Sequence, residues 1–225
     1  MMRTVSMKPR LSRRVFMIQR GRDYMSDPAH LSRRQPLYGR SIIHDGLQIL
    51  PVPEVGKIML QRSNRVYDVD MTDFGEAFAQ AFGPELPFQV NGTVVSKDGA
   101  ITLLCTGPNT WMILCHDPDA MTIAGWIEAT AGDRTITAAI MTDQYICLDI
   151  RGEHARALLA KGCALNLDAQ VFTEGHCART LLAQANMVLW PMGTEGFRVL
   201  FDVSFSEYLW YWLESVSEEY AEHNG

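Results

Sequence analysis

The sequence predicts an α+β chain built as two ferredoxin-like antiparallel units, and three observations lead there. Its strands are short and joined mostly by hairpin turns. Its amphipathic helices are scattered among those strands, which argues against a doubly wound parallel sheet. The order strands, helix, strands, helix also recurs along the chain, as two units with helices on one face of each sheet would produce. The expected domain runs over residues 41–225, with subdomains at about 57–132 and 135–220.

In the first half, Ile58–Leu60 and Val66–Val69 read as strands. Asp73–Phe82 reads as a helix: Asp73 and Glu76 stand at capping-box spacing, Phe74, Phe78, Ala81 and Phe82 form an apolar stripe, and Gly83-Pro84 stops it. Strands follow at Val94–Val95, Ala100–Leu104 and Trp111–Leu114, separated by Asp98-Gly99, a hairpin signal, and by Gly107-Pro108-Asn109. Asp117-Pro118 caps and starts a second helix, whose core stripe is expected at Met121, Ala124 and Ile127 with Trp126 at its edge.

The second half repeats the theme. Thr135–Met141 and Tyr145–Ile150 are strands around Thr142-Asp143. Gly152 leads into a short helix carrying Ala155, Leu158 and Leu159, and Gly162 reads as its left-handed stop. Strands at Ala178–Ala183, Met187–Trp190 and Phe197–Val203 precede a closing helix from Phe205 to about Tyr220.

Composition bounds the function. The 225 residues are 47% apolar with a net charge of −6, which excludes global disorder and gives no reason to expect nucleic acid as a partner. No run of about 18 uncharged apolar residues occurs, so neither a membrane span nor a membrane partner is expected. Charge is uneven: residues 1–40 carry a net +8, leaving −14 for the rest. A transit peptide and a nucleic-acid arm are two readings of that segment. The preferred reading is a disordered basic arm, or a start codon assigned too early, leaving 1–24 untranslated and Met25 as the start, with Met7 and Met17 as other candidates. Five cysteines without a C-x-x-C pair point to a reducing cytoplasm.

Catalytic signatures are missing: no Gly-rich phosphate loop, no H-E-x-x-H and no G-x-S-x-G. His44-Asp45 and His116-Asp117 are neighbours whose side chains point apart on regular structure, with Asp117 read as a helix cap. Cys163, His176 and Cys177 lack a fourth ligand for zinc. The expectation is a chain with no catalytic, cofactor-binding or metal residues of its own.

The closing helix is the informative element. Ser204 and Glu207 stand at capping-box spacing, with Val203 and Tyr208 as a hydrophobic staple. Phe205, Tyr208, Leu209, Trp212, Leu213, Val216 and Tyr220 fall on one face and read as core. Trp210 and Tyr211 lie outside that stripe, among Glu207, Glu214 and Glu218, and are read as a partner interface.

At these residues a family comes into view. Arg151-Gly-Glu-His-Ala-Arg-Ala-Leu-Leu-Ala-Lys-Gly-Cys163-Ala-Leu-Asn-Leu-Asp168 resembles the "G-x-x-A-R-x-L-L-A-K-G-C-x-L-D-L" segment of the gamma subunit of heterotetrameric sarcosine oxidase. Phe172-Thr-Glu-Gly175-His-Cys177-Ala-Arg-Thr180-Leu-Leu-Ala183 is similar to its "F-x-x-G-x-C-A-x-T-L-L-A". Ser204-Phe-Ser-Glu-Tyr-Leu-Trp210-Tyr-Trp-Leu213 is similar to its "S-F-x-x-Y-L-W-x-W-L", and Gly107-Pro108-Asn109-Thr110-Trp111 to its "G-P-D-E-W". Arg33-Arg34-Gln-Pro36-Leu37 also resembles its "R-x-S-P-L", so the likeness covers about residues 33–220.

The resemblance implies a fold like the folate-binding domain of glycine-cleavage aminomethyltransferases. It implies a structural, non-catalytic gamma subunit docked on an alpha subunit, with beta and delta subunits completing the assembly. Such a complex oxidatively demethylates sarcosine to glycine, and FAD, FMN, NAD and tetrahydrofolate, the one-carbon acceptor, belong to the partner subunits. Gly152, Gly162 and Gly175 then serve turns, and Cys163 and Cys177 pack as small thiols beside them. Glu153 stands where the family has Pro, Asn166 where it has Asp, and Met141-Thr142-Asp143 only partly matches the Asp-x-Ser of the transferases. A subunit of an N-methylglutamate dehydrogenase-type complex reads almost the same, and a free-standing folate-dependent one-carbon protein is the third reading.

Overall fold

The computed structural model describes residues 35–63, 71–116, 119–132 and 134–221. In chain order its strands are β1 (Ile42–His44), β2 (Leu47–Pro51), β3 (Val55–Arg62), β4 (Thr93–Val95), β5 (Thr102–Gly107) and β6 (Thr110–His116). They continue with β7 (Ile136–Ile140), β8 (Tyr145–Arg151), β9 (Ala178–Leu182), β10 (Ala185–Pro191) and β11 (Gly196–Asp202). The helices are α1 (Thr72–Phe82), α2 (Asp119–Thr130), α3 (Ala155–Ala160) and α4 (Ser206–Ser217). The expected strand at Val66–Val69, the Asp117 cap and the arm over residues 1–34 lie outside the described residues.

Turn chemistry sets the hairpins. Asp98 accepts hydrogen bonds from Ser96 Oγ (2.6 Å) and Ala100 N (3.0 Å), and Gly99 takes the left-handed conformation, so β4 and β5 close on the predicted dipeptide. Asn109 does the same between β5 and β6, with φ 59°. All pairings are antiparallel, giving one sheet in the order β4-β5-β6-β3-β7 and a second in the order β1-β2-β8-β11-β10-β9.

Both sheets contain the ferredoxin-like order. In the first, β3, β5, β6 and β7 supply its four strands in chain sequence, with β4 added at one edge. In the second, β8, β10 and β11 supply three, and β2 takes the fourth place beside β8. The two units therefore do not divide at residues 132–135. β7 belongs to the first sheet, and residues 42–51 belong to the second, because β8 offers β2 an open edge where its apolar side chains can be buried.

Helices α1 and α2 cover the outer face of the first sheet around Phe74, Phe78, Ile113 and Ile127, while α3 and α4 cover the second around Leu158, Phe197, Leu209 and Leu213. The inner faces meet through Leu104, Met112 and Leu114 against Cys147, Val188, Trp190 and Leu200. The layers run helix, sheet, sheet, helix.

Two local expectations change. α1 starts at Thr72 after Met71, and no side chain caps it, so the Asp73/Glu76 box does not form. α2 buries Ala120, Ile123, Ala124 and Ile127, while Met121 is 60% exposed. The stripe is rotated because Trp126 turns toward Phe74, Phe78 and Phe82, at centroid distances of 5.9, 5.8 and 5.1 Å.

Candidate functional site

The start of α4 is set by a carboxylate the sequence pattern overlooks. Asp202 accepts hydrogen bonds from Ser204 N (2.9 Å) and Ser204 Oγ (2.7 Å), so the chain is capped before a single 3₁₀ turn and not by a Ser204/Glu207 box. Those hydrogen bonds hold the Asp202 carboxyl below the usual carboxylate range. The helix that follows buries Ser206, Leu209, Trp210, Leu213 and Ser217.

Trp210, expected at a partner interface, is therefore a core residue with 1% exposure. Its Nε1 donates to Glu214 Oε1 (2.5 Å), and the Arg40 guanidinium lies 5.9 Å above its ring. Arg40 is held there by a 3.0 Å bond to Glu207. The buried positions of α4 fall within one arc of about 100°, so the helix is rotated from the predicted stripe toward Trp210, and Leu37 of the segment leading into β1 joins the same core. Tyr211, its neighbour, is 66% exposed and stays outside. Tyr208 is 45% exposed and its hydroxyl donates to the Ala183 carbonyl at the β9–β10 turn.

That contact brings α4 to the edge of the second sheet. Among the described residues β9 pairs only with β10, leaving its outer main-chain groups without a strand partner. Leu181 is exposed on β9, in a 620 Å³ cleft between the sheets that Met59, Met112, Tyr145 and Phe205 also line. An open strand edge flanked by Leu181 on one face and by Tyr208 on the other has the chemistry of a protein-docking surface.

The motif glycines separate into two places. Gly152 and Gly175 line one cavity at the tip of the β10–β11 hairpin. At Gly152, with φ +109°, a β-carbon would stand 2.1 Å from the Gly46 carbonyl oxygen, so only glycine admits the β1–β2 turn there. The Gly175 carbonyl accepts from Thr93 N (2.8 Å) and the Asn91 carbonyl from Cys177 N (2.7 Å), which ties the loop before β9 to the first sheet. Gly162 is not a left-handed stop. A β-carbon there would lie 2.5 Å from the Trp212 indole, so α4's ring packing is what requires glycine.

Cys163 is buried beside Thr180, at 3.6 Å from its hydroxyl. The Cys177 thiol contacts the Gly92 carbonyl (3.6 Å), and burial pushes it up to about 11, partly offset by the Thr93 hydroxyl. Burial likewise pushes Cys147 up to about 12. Such thiols stay protonated at neutral pH and are poor nucleophiles. Among the described residues no three His, Cys, Asp or Glu side chains converge as metal ligands. His116 faces Glu54 at 3.5 Å on the surface.

Two polar groups escape a reading by motif. Lys57 is fully buried, its Nζ donating to the carbonyls of Val55 (2.9 Å) and Thr142 (3.2 Å). Across the second sheet, Arg198 makes a two-pronged bond to Asp149 (2.6 and 3.1 Å). A lone lysine in the apolar run Lys57-Ile-Met-Leu60 is the one visible signal of the first. The second depends on cross-strand register.

Comparison with known proteins adds the family. The model described as "Sarcosine oxidase, gamma subunit family" matches residues 67–219. Sarcosine oxidase subunit gamma of Corynebacterium sp. (strain P-1) is 28% identical over 145 residues, covering 64% of this chain and 70% of the relative. The same protein of an Arthrobacter species has the same identity and coverage. Among solved structures, heterotetrameric sarcosine oxidase from Corynebacterium sp. U-96 in complex with pyrrole 2-carboxylate contains a similar chain, with a TM-score of 0.72 at 21% identity, covering 86% of this chain and 98% of that one. The glycine cleavage system aminomethyltransferase T from Bartonella henselae aligns at TM-score 0.51 and 12% identity, over 77% of this chain and 46% of that one. At these identities the two structures speak for the fold.

Proposed function

The chain belongs to the sarcosine oxidase gamma subunit family, and on that premise we propose that it is a non-catalytic docking subunit of a sarcosine oxidase-like complex. The observation that carries the reading is the open β9 edge flanked by exposed Tyr208 and Leu181, with the 66% exposed Tyr211 on the neighbouring helix. Main-chain groups of β9 supply affinity to an extended partner segment, and the flanking side chains supply contact area with little rotamer loss. The partner is an alpha-type subunit, with beta and delta subunits completing the assembly. FAD, FMN, NAD and tetrahydrofolate are assigned to those subunits, and sarcosine demethylation to glycine is the reaction of the whole. The cytoplasm is the proposed compartment.

What this chain's own residues do is hold shape. The Thr93–Gly175 and Asn91–Cys177 main-chain bonds join the sheets, and Gly152 seats the β1–β2 turn against β8. The test is co-expression with the flavin-carrying partner subunits. Leu181→Asp with Tyr211→Asp is expected to cut co-purification by about tenfold or more while leaving the melting temperature of this chain unchanged. Undiminished assembly of the double variant would remove β9 and α4 as the docking surface. Saturable tetrahydrofolate binding to the isolated chain, lost in Asp143→Asn, would replace the docking reading by the free-standing folate protein.

A further inference from the structure

We propose that β7 is an interface between two copies of this chain, paired antiparallel across a twofold axis at Ala138, so that the first sheet runs on through both molecules. The edges of the two described sheets are β4 and β7, and β1 and β9. β1 and β4 are only three residues long and β9 carries Arg179, features that keep an edge from pairing with another chain. β7 has no such protection. Its five residues, Ile136-Thr-Ala-Ala-Ile140, hold no charge and no proline, and among the described residues they pair only with β3, in unbroken register. Thr135 O accepts from Ser63 N (2.8 Å) and Met141 N donates to Lys57 O (2.7 Å), so the odd-numbered residues bond inward. By the alternation of an antiparallel ladder, the main-chain groups of Ala138 and Ile140 and the Ile136 carbonyl point out of the edge.

The strand is complementary to itself, which makes a second copy the occupant. With the axis at Ala138, Ile136 faces Ile140 of the second copy and Thr137 faces its Ala139, so the strand overlaps over its whole length and brings no charge against itself. Slipping the pair by two residues either way sets Ile140 against Arg134 or Ile136 against Thr142. In the full overlap the Ala138 residues bond each other, and each Ile140 N donates to the opposite Ile136 O, about four main-chain hydrogen bonds in all. Apolar surface continues onto the helix above. α2 packs chiefly on β7 and runs back along it, because β6 and β7 are both antiparallel to β3. Its first turn, with Met121, therefore lies toward the Ile140 end. Trp126 turns to α1, and Met121, about 140° away around the helix, is on the flank toward the edge. Met121 is 60% and Ile140 42% exposed, and a second copy covers both.

The experiment is sedimentation of the full chain from about 1 to 200 µM, where an interface of this limited size is expected to give a dimer with a Kd of about 10 µM. Ile140→Lys is expected to weaken that dimer about tenfold or more. Its melting temperature, read below about 1 µM where the chain is a monomer, should match that of the unchanged protein. The register is read by cross-linking. Thr137 and Ala139 are exposed, and the native cysteines of the chain are buried. Thr137→Cys combined with Ala139→Cys is expected to give a disulfide-linked dimer with copper phenanthroline. Either change alone is not, since like positions of the two copies then stand about 8 Å apart, too far to bridge. Leu181→Asp with Tyr211→Asp is expected to leave the dimer intact, so this interface and the docking at β9 read out separately. A monomer throughout the range, a dimer indifferent to Ile140→Lys, or single-cysteine variants that cross-link as well as the double one would overturn the proposal.

Discussion

The first unit draws its four ferredoxin-like strands from one continuous stretch, while the second completes its sheet with β2, which precedes the first unit in the chain. The distant strand is the better buried. Leu47 and Ile49 of β2 are fully enclosed between β1 and β8, whereas β7, at the edge of the first sheet, buries only Ile136, and that less completely. Closing a long loop costs only slowly growing entropy, so a strand from far away can take an interior place if it brings apolar side chains. Position in the sheet, and not proximity in sequence, decides what a strand contributes.

Six substitutions sharpen or break that contrast. The largest effect is expected at Trp210→Ala, which empties the core under the second unit's helix and should cost about 3–5 kcal/mol in urea unfolding. Ile49→Ala should follow at about 2–4 kcal/mol, while Ile140→Ala on the half-exposed end of β7 should stay within about 0.5 kcal/mol. Equal losses at the two strands would end the distinction between them.

Gly162→Ala comes next, at about 1–3 kcal/mol, because the new methyl meets the Trp212 ring. Combining it with Trp212→Leu should cost less than the sum of the two single changes, a coupling read from a double-mutant cycle. Asp202→Ala should cost about 1 kcal/mol for a lost cap. Since the folded-state carboxyl is held low by Ser204, its contribution is full above the ordinary carboxylate range and lost as pH falls through the lowered value. The gap between wild type and Asp202→Ala should therefore narrow on acidification, and a gap constant down to the acid limit would mean the carboxylate charge plays no part.

Much of this was legible in one dimension. Asp98-Gly99 and Pro108-Asn109 close hairpins because their backbone preferences are local, and the 151–183 and 204–213 motifs carried the family resemblance. Trp210 was not legible. Its helical position places it off the predicted stripe, and only the rotation at which α4 docks, burying Ser206, Leu209, Trp210, Leu213 and Ser217 together, turns that position inward, with Arg40 over its ring. Tyr211, one position further round the helix, keeps its predicted exposure. Gly162 was assigned the right residue class for the wrong reason, since the Trp212 ring that requires it lies fifty residues away.

The sequence by itself determined the α+β class, the helices, the hairpins and the family, because hydrogen bonds between near neighbours and the periodicity of apolar residues are written residue by residue. The tertiary structure alone decided that β2 completes the second sheet, that Trp210 is enclosed while Tyr211 is free, and that Gly152 and Gly175 share a cavity. Those outcomes depend on which distant surfaces meet, and burial is a property of the meeting and not of either segment.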